Sequence, residues 1–447
     1  MPSASRPQRH VIVGAGIAGL SAAQTIRAAD RRAQLTLVAD EQHLPYSRPG
    51  LAYFLANDIP QAQLFPWSAA ELRGLKVGFL HGRAVGLDTT GHLLTLSDGR
   101  RLAYDALLLA TGAPAVLPDL PGTQLQGVVT LDRLNDATRI LSLAKRARRA
   151  VVVGGGITAV EIAEGLAARG VETHYLMRKE RFWSQVLDPE ESRLVEQGMV
   201  SHGIRLHYHT NVARVLGQRG RVKGVLTERG DSLTCQMVGF AIGIRPRTEL
   251  ARAAGLSVDR GILTDEYLRT SAVDVFAAGD AAQAFDPATG KHTLDSLWWM
   301  AADQGQAAGA NMAGGASPYL RGIPFNVTRI GGLIVTIVGQ VGQAGDDADL
   351  VSIVHGDSET WREGLDSFAV HSHHQASRIR LVVGDDCLVG AVILGDQTLS
   401  RPLSELVRGR VPLGRLRQQL LKSPERAVQT LIDYGQQQVL HRMQAVA

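Results

Sequence analysis

Residues 10–20 read HVIVGAGIAGL, and residues 150–170 return to the same grammar as AVVVGGGITAVEIAEGLAARG. In the first stretch, β-type residues run into a glycine turn and leave it as the Ala-rich amphipathic segment SAAQTIRAA. The pattern is strand, turn, helix. LTLV at 35–38 supplies a second strand that ends in Asp40 and Glu41. In the later copy the second strand is THYLM. One supersecondary unit is used twice, and no shorter repeat period is present.

The glycines have separable physical tasks. In Gly14-x-Gly16-x-x-Gly19 the first allows the tight turn and the second lets backbone approach a pyrophosphate. The third permits close helix–strand packing. The helix then presents unsatisfied N–H groups to the phosphates. About twenty residues on, Asp40 or Glu41 can accept hydrogen bonds from ribose hydroxyls, with Asp40 the first choice. The second copy reads Gly154-x-Gly156-x-x-Ala159, with Ala159 filling the packing position. Two such motifs imply two dinucleotides held at once, the arrangement that a flavin–nicotinamide electron shuttle requires.

The chain has 447 residues, about three domains at roughly 150 each. With 45% hydrophobic and 20% charged residues it is globular in composition, not disordered. Its 48 glycines follow no three-residue period, which excludes collagen. Two cysteines exclude a disulfide scaffold and a multi-Cys metal site. Cys235 and Cys387 are expected to be buried free thiols, with a disulfide between them the alternative. His371, His373 and His374 lack spaced carboxylate or Cys partners, so no metal is expected there. The opening MPSASRPQRH has no apolar core of a signal peptide. LIVTIV at 333–338 is far shorter than the ~20 residues that span a bilayer. The expectation is a soluble cytoplasmic protein with no membrane or nucleic-acid role. The net charge of +4 is mildly basic and fits an acidic partner only loosely.

From about 318 the pattern changes to short β-rich runs, FNVTRIGGLIVTIVG and RIRLVVGDDCLVGAVILGD, with a helical tail from about 402. The boundaries fall near 117, 244 and 318. Residues 1–116 and 244–317 form one discontinuous domain, 117–243 the inserted second, and 318–447 a third. The fold class is α/β: two Rossmann-like dinucleotide-binding domains plus a C-terminal α+β domain.

Further motifs occur in a fixed order: Ala110-Thr111-Gly112 in LLLATGAP, Gly243 in IGIRP, and Gly279-Asp280 in TSAVDVFAAGDAA. With the two glycine motifs, they give residues 9–315 a resemblance to the two-dinucleotide flavoprotein reductases of the pyridine nucleotide-disulfide oxidoreductase superfamily. The resemblance implies that the first motif binds the ADP part of FAD and that Asp280 hydrogen-bonds the ribityl or pyrophosphate region. It implies that the second motif binds NAD(P)H and that the C-terminal third is an interface domain, with a homodimer possible.

Departures choose the branch. Disulfide reductases carry a Cys pair, and related peroxidases one Cys, where this chain reads DEQHLPYSRPGLAYFLAND. A thiol relay is therefore not expected. LPYSRPGL instead resembles the flavin domains of rubredoxin, ferredoxin and nitrite reductases. In these a basic residue lies beside the isoalloxazine, and Arg48 is the candidate, its charge favouring an anionic reduced flavin. Glu161 falls where the family points a carboxylate towards the nicotinamide, with a helix-surface salt bridge the equal alternative. Trp298 falls where ferredoxin reductases place a Trp by the flavin, with core packing the alternative; Trp299 is assigned to the core. At the 2′-position of the nicotinamide donor the chain has Met177, then Arg178 and Lys179, instead of a carboxylate. That removes repulsion of a 2′-phosphate and slightly favours NADPH.

The expectation is an FAD-dependent NAD(P)H:acceptor oxidoreductase. Its acceptor would be an acidic iron–sulfur or rubredoxin-like carrier, or a nitrite-reductase-type module. An NAD(P)H oxidase that forms hydrogen peroxide is one alternative, and a flavin-binding structural or signalling protein another.

Overall fold

Val11, Ile12 and Val13 are buried because both faces of their strand are covered, which is why a parallel strand reads as an unbroken apolar run. In the structure, a computed structural model, residues 6–341, 378–384, 387–412 and 433–434 are described. The strand Arg9–Val13 lies at the centre of a five-stranded parallel sheet. Gln34–Ala39 and Val77–His81 flank it on one side, Ala106–Leu109 and Val275–Ala277 on the other. The last of these strands returns from far along the chain.

A second parallel sheet repeats the plan in the order Ile204–His207, Glu172–Leu176, Arg149–Val153, Met237–Phe240, Val128–Val129. Each first strand feeds a crossover helix, Ile17–Ala29 in one sheet and Ile157–Ala167 in the other. Three smaller three-stranded sheets, two antiparallel and one mixed, accompany these units.

The C-terminal part is a four-stranded antiparallel sheet in the order Phe325–Ile330, Leu333–Gly339, Cys387–Leu394, Arg378–Gly384, with the helix Ser400–Arg408 against it. Its anchorage is specific. Arg380 bonds both oxygens of the fully buried Glu191, and Arg378 bonds Asp188. At the turn of its first hairpin, the Gly331 N–H donates to Glu164. A Cβ on Gly198 would lie 1.8 Å from the Gly331 carbonyl oxygen, so backbone meets backbone there.

Both cysteines are free, but only Cys235 is buried. Cys387 corrects the expectation of two buried thiols. It sits on a half-covered strand end, where its Sγ reaches the Arg410 carbonyl. His371, His373 and His374, and most of the tail beyond residue 412, lie outside the described residues.

The helix Trp298–Met312 packs along the first crossover helix through its small residues. A Cβ on Gly305 would lie 2.1 Å from the Ala18 carbonyl oxygen, and one on Gly309 would lie 2.6 Å from that of Ala22. Leu and Ile side chains are excluded from this seam, so dispersion between backbones replaces side-chain interdigitation. We expect Gly305→Ala to lower stability by at least ~2 kcal/mol, since overpacking against backbone outweighs the gain in helix propensity. Gly74→Ala, at an exposed helical glycine with no neighbour within 4 Å, should instead gain up to ~1 kcal/mol. Urea midpoints of the two variants check the opposite signs.

Candidate functional site

The strand–turn–helix corner of the first unit opens into a cleft of about 440 Å³ that also reaches the second unit. The three glycines do different work there. Gly14 has φ +119°, and a Cβ on it would lie 2.0 Å from the Ala110 carbonyl oxygen. Its N–H donates to the Val38 carbonyl. A Cβ on Gly19 would lie 2.0 Å from the Gly14 carbonyl oxygen, which is the close helix–strand contact itself. Gly16 has nothing within 4 Å. It is the N-cap of the first crossover helix and offers no side-chain cap, so the first-turn N–H groups face the cleft. Gly14 and Gly19 are therefore structural necessities, and Gly16 is an open cradle.

Charged side chains from both units line the cleft. Glu41 accepts from the Tyr46 hydroxyl at 2.7 Å and from Arg48 at 2.8 Å. Arg48 also donates at 3.0 Å to the Asp132 carboxylate, which enters from the second unit beyond the strand Val128–Val129. Next to Asp132, Arg133 bonds Asp40 at 3.1 Å. Arg247 lies 3.7 Å from Asp132; its guanidinium donates to the Thr111 carbonyl, and the Thr111 hydroxyl donates back to the Arg247 carbonyl. Arg48 is thus no bare cation; two nearly buried carboxylates hold it. Glu41 is committed to Tyr46 and Arg48, whereas Asp40 remains half-exposed at the cleft wall.

The remaining expected residues fall into two groups. Ala110, Thr111, Gly112, Gly279, Asp280, Glu161 and Trp298 all line the cleft. The Asp280 carboxyl is pushed up to about 6 by burial, with the Arg48 charge opposing and Asp132 adding to the rise. Glu161 makes no helix-surface salt bridge. It is buried, and burial together with Glu164 pushes its carboxyl up to about 8. Trp298 opens its helix at the cleft, while its neighbour Trp299 is half-buried, donates to the Phe325 carbonyl at 2.9 Å and touches Gly322.

Gly154, Gly156, Ala159, Arg178, Lys179 and Gly243 stand outside the cleft lining. Gly154 packs against Ala241 and Ala159, and Gly156 caps the second crossover helix without a side-chain bond. Arg178 and Lys179 are exposed just past the strand Glu172–Leu176. Gly243, at φ +141°, accepts from the Val116 N–H where the chain re-enters the first unit.

Sequence reasoning missed Asp132, Arg133 and Arg247. The signal for Arg247 was adjacent, one residue beyond the IGIRP motif. Asp132 and Arg133 follow a two-residue strand too short to mark them as a strand end.

Residues 8–307 match the family model described as pyridine nucleotide-disulphide oxidoreductase. The chain is 32% identical to the ferredoxin reductase component of chlorobenzene dioxygenase from Cupriavidus sp. (strain PS12), over 75% of this chain and 81% of that protein. It is 32% identical to rhodocoxin reductase from Rhodococcus erythropolis, over 70% of this chain and 74% of that protein. Among solved structures, it resembles the ferredoxin reductase for the CYP199A2 system from Rhodopseudomonas palustris. That match has a TM-score of 0.74 and 28% identity, and covers 87% of this chain and 91% of that one.

A buried carboxyl raised to about 8 has a definite sign in stability. Folding favours its protonated form, so the ligand-free protein loses stability as pH rises from about 4.5 through 8. Glu161→Gln removes this slope. The unfolding free energy of the variant, from urea melts, should match the wild type at pH 4.5 and exceed it at pH 8 by about 4 kcal/mol.

Proposed function

The chain belongs to the pyridine nucleotide-disulphide oxidoreductase family, and from that premise we propose that it is an FAD-dependent reductase that takes hydride from NAD(P)H and hands electrons to a small redox protein. The observation that carries the reading is a dinucleotide cleft without sulfur. The segment from Glu41 to Ala52 contributes to the cleft lining, and neither it nor the residues on to Asn57 include a cysteine. Cys235 lies in the apolar core of the second unit, its thiol pushed up to about 12 by burial, and Cys387 lies on the C-terminal sheet. Electrons that arrive in the cleft therefore have no thiol of this chain to pass through. The acceptor is taken to be an acidic iron–sulfur or rubredoxin-type carrier, in keeping with relatives named as ferredoxin and rhodocoxin reductases.

The residues present fit FAD. Gly16 leaves the space that a pyrophosphate needs beside the exposed helix N–H groups. Asp40 is the better placed acceptor for ribose hydroxyls, because Glu41 is already bonded to Tyr46 and Arg48. No described side chain hydrogen-bonds Asp280, which leaves its carboxyl to the cofactor. When bound, the flavin supplies the conversion of a two-electron hydride donor into a source of single electrons. The chain orients the partners and excludes water. Arg48, clamped by Glu41 and Asp132, sets a compensated positive field, and Trp298 covers the ring end of the cleft. Glu161 faces the same space from the second crossover helix, where the nicotinamide would enter. The second glycine motif holds NAD(P)H, with Arg178 and Lys179 placed for a 2′-phosphate. The division into domains 1–116 with 244–317, 117–243 and 318–447, a homodimer built through the last, and a cytoplasmic location complete the proposal. No described helix is long and apolar enough to cross a membrane.

Four outcomes test this reading. The purified protein should be yellow, or turn yellow on adding FAD, and should bleach within seconds on anaerobic addition of NAD(P)H. The bleached form should be reoxidised faster by an acidic ferredoxin or rubredoxin than by air; the reverse order would favour an oxidase. Gly16→Val should lose FAD by at least ~100-fold in Kd, about 2.7 kcal/mol, with its urea midpoint unchanged. Gly14→Val fails as a test, because its side chain would strike the Ala110 backbone. For the donor, replacing Arg178 and Lys179 by Ala should raise the KM for NADPH ~10-fold and leave that for NADH within ~2-fold.

A further inference from the structure

Behind Glu161, on the side away from the main cleft, a second cavity of about 20 Å³ lies between the helix Gly50–Ala56, the second crossover helix and the strand Phe325–Ile330. That is room for about one water. Its charged lining consists of Glu161, Glu164 and Arg329. Glu161 is shared between the two cavities. Beyond the small one, Glu164 lies 3.9 Å from Nδ1 of His202, whose side chain is 45% exposed at the end of the helix Pro189–Ser201. We propose that Glu161, one water, Glu164 and His202 form a proton path between the cleft and the surface.

Proton bookkeeping gives such a path its task, given the function proposed above. A hydride removed from NAD(P)H carries two electrons and one proton. Two one-electron carriers take the electrons and no proton, so one proton per NAD(P)H is left in the cleft. Glu161 releases its carboxyl proton to the water as one O–H bond breaks. The water passes a proton to the Glu164 carboxylate, and His202 delivers it to solvent. The vacated Glu161 oxygen then forms its new O–H bond with the proton from the cleft. No oxidant beyond the electron carriers is needed.

The surrounding charges suit the task. From the helix Gly50–Ala56 and its end come Tyr53 and Asp58; from the strand Phe325–Ile330 comes Arg329. Arg329 is engaged with Asp58 and lies 5.3 Å over the Tyr53 ring. No described cation pairs with Glu161, and Glu164, one turn on, raises its proton affinity. Glu164 in turn raises that of His202. Glu161 thus holds its proton near neutral pH, and His202 takes one up more readily than a free imidazole. Glu164 is kept in place by the Gly331 N–H, at 2.7 Å.

The test uses the flavin-loaded protein. In stopped flow, a pH-indicator dye in weak buffer reports proton release while flavin absorbance reports electron departure to a one-electron acceptor. In the wild type the two traces coincide. In Glu164→Gln, which retains an oxygen for the Gly331 N–H, the dye trace should lag about tenfold, and added imidazole or formate should restore it. Glu164→Asp should lag less. By infrared titration, the protonated-carboxyl band that vanishes in Glu161→Gln should shift to lower pH in Glu164→Gln, because a like charge is gone. Coincident traces in Glu164→Gln, or an unmoved Glu161 band, would overturn the path. A colourless protein, or one that NAD(P)H does not bleach, would instead overturn the reductase reading itself.

Discussion

Arg48 bound between Glu41 and Asp132 is the interaction on which the cleft depends. Only 34% of the Arg48 side chain is accessible, and its carboxylate partners are 13% and 11% accessible. Charges so far from bulk water need partners, because desolvating each one costs several kcal/mol. Glu41 belongs to the first dinucleotide unit and Asp132 to the second. The guanidinium can be satisfied on both sides only when the two units stand at one separation. Arg133 with Asp40, and the main-chain N–H of Leu134 with the Tyr46 hydroxyl, repeat the tie across the same boundary. A requirement for charge compensation thereby sets the width of the cleft between the two units.

Much of this architecture was legible in the sequence, for physical reasons. A parallel strand covered on both faces must be apolar throughout. A helix that starts against a phosphate must begin with glycine, and both demands leave short local patterns. The two units and Gly14, Gly16 and Gly19 could be read for that reason, whereas Ala110, Gly279 and Asp280 were marked by the family resemblance of their motifs. Asp132, Arg133 and Arg247 could not, because their importance comes from partners 84–136 residues away. No local period marks such pairs. The helix seam was hidden in the same way. MAADQGQAAG reads as an ordinary small-residue helix until Ala18 and Ala22 are known to lie against it.

The carboxylates show how similar residues acquire different tasks from their surroundings. Asp40 stays half-exposed and paired with Arg133. Asp280 is raised by burial yet moderated by Arg48. Glu161 has a like charge as its neighbour and no cation. The motif alone predicts a carboxylate at 161, but its protonation is set by burial and by Glu164, one turn along the same helix.

The contact of Gly305 and Gly309 with Ala18 and Ala22 has a mechanical meaning. Helices that touch through bare main chain have no compliant side-chain layer to absorb a tilt. The first crossover helix begins at the open corner beside Gly16, and its partner begins at Trp298. Any displacement at one mouth of the cleft is therefore carried across to the other, and the two helices act as a single rigid lever.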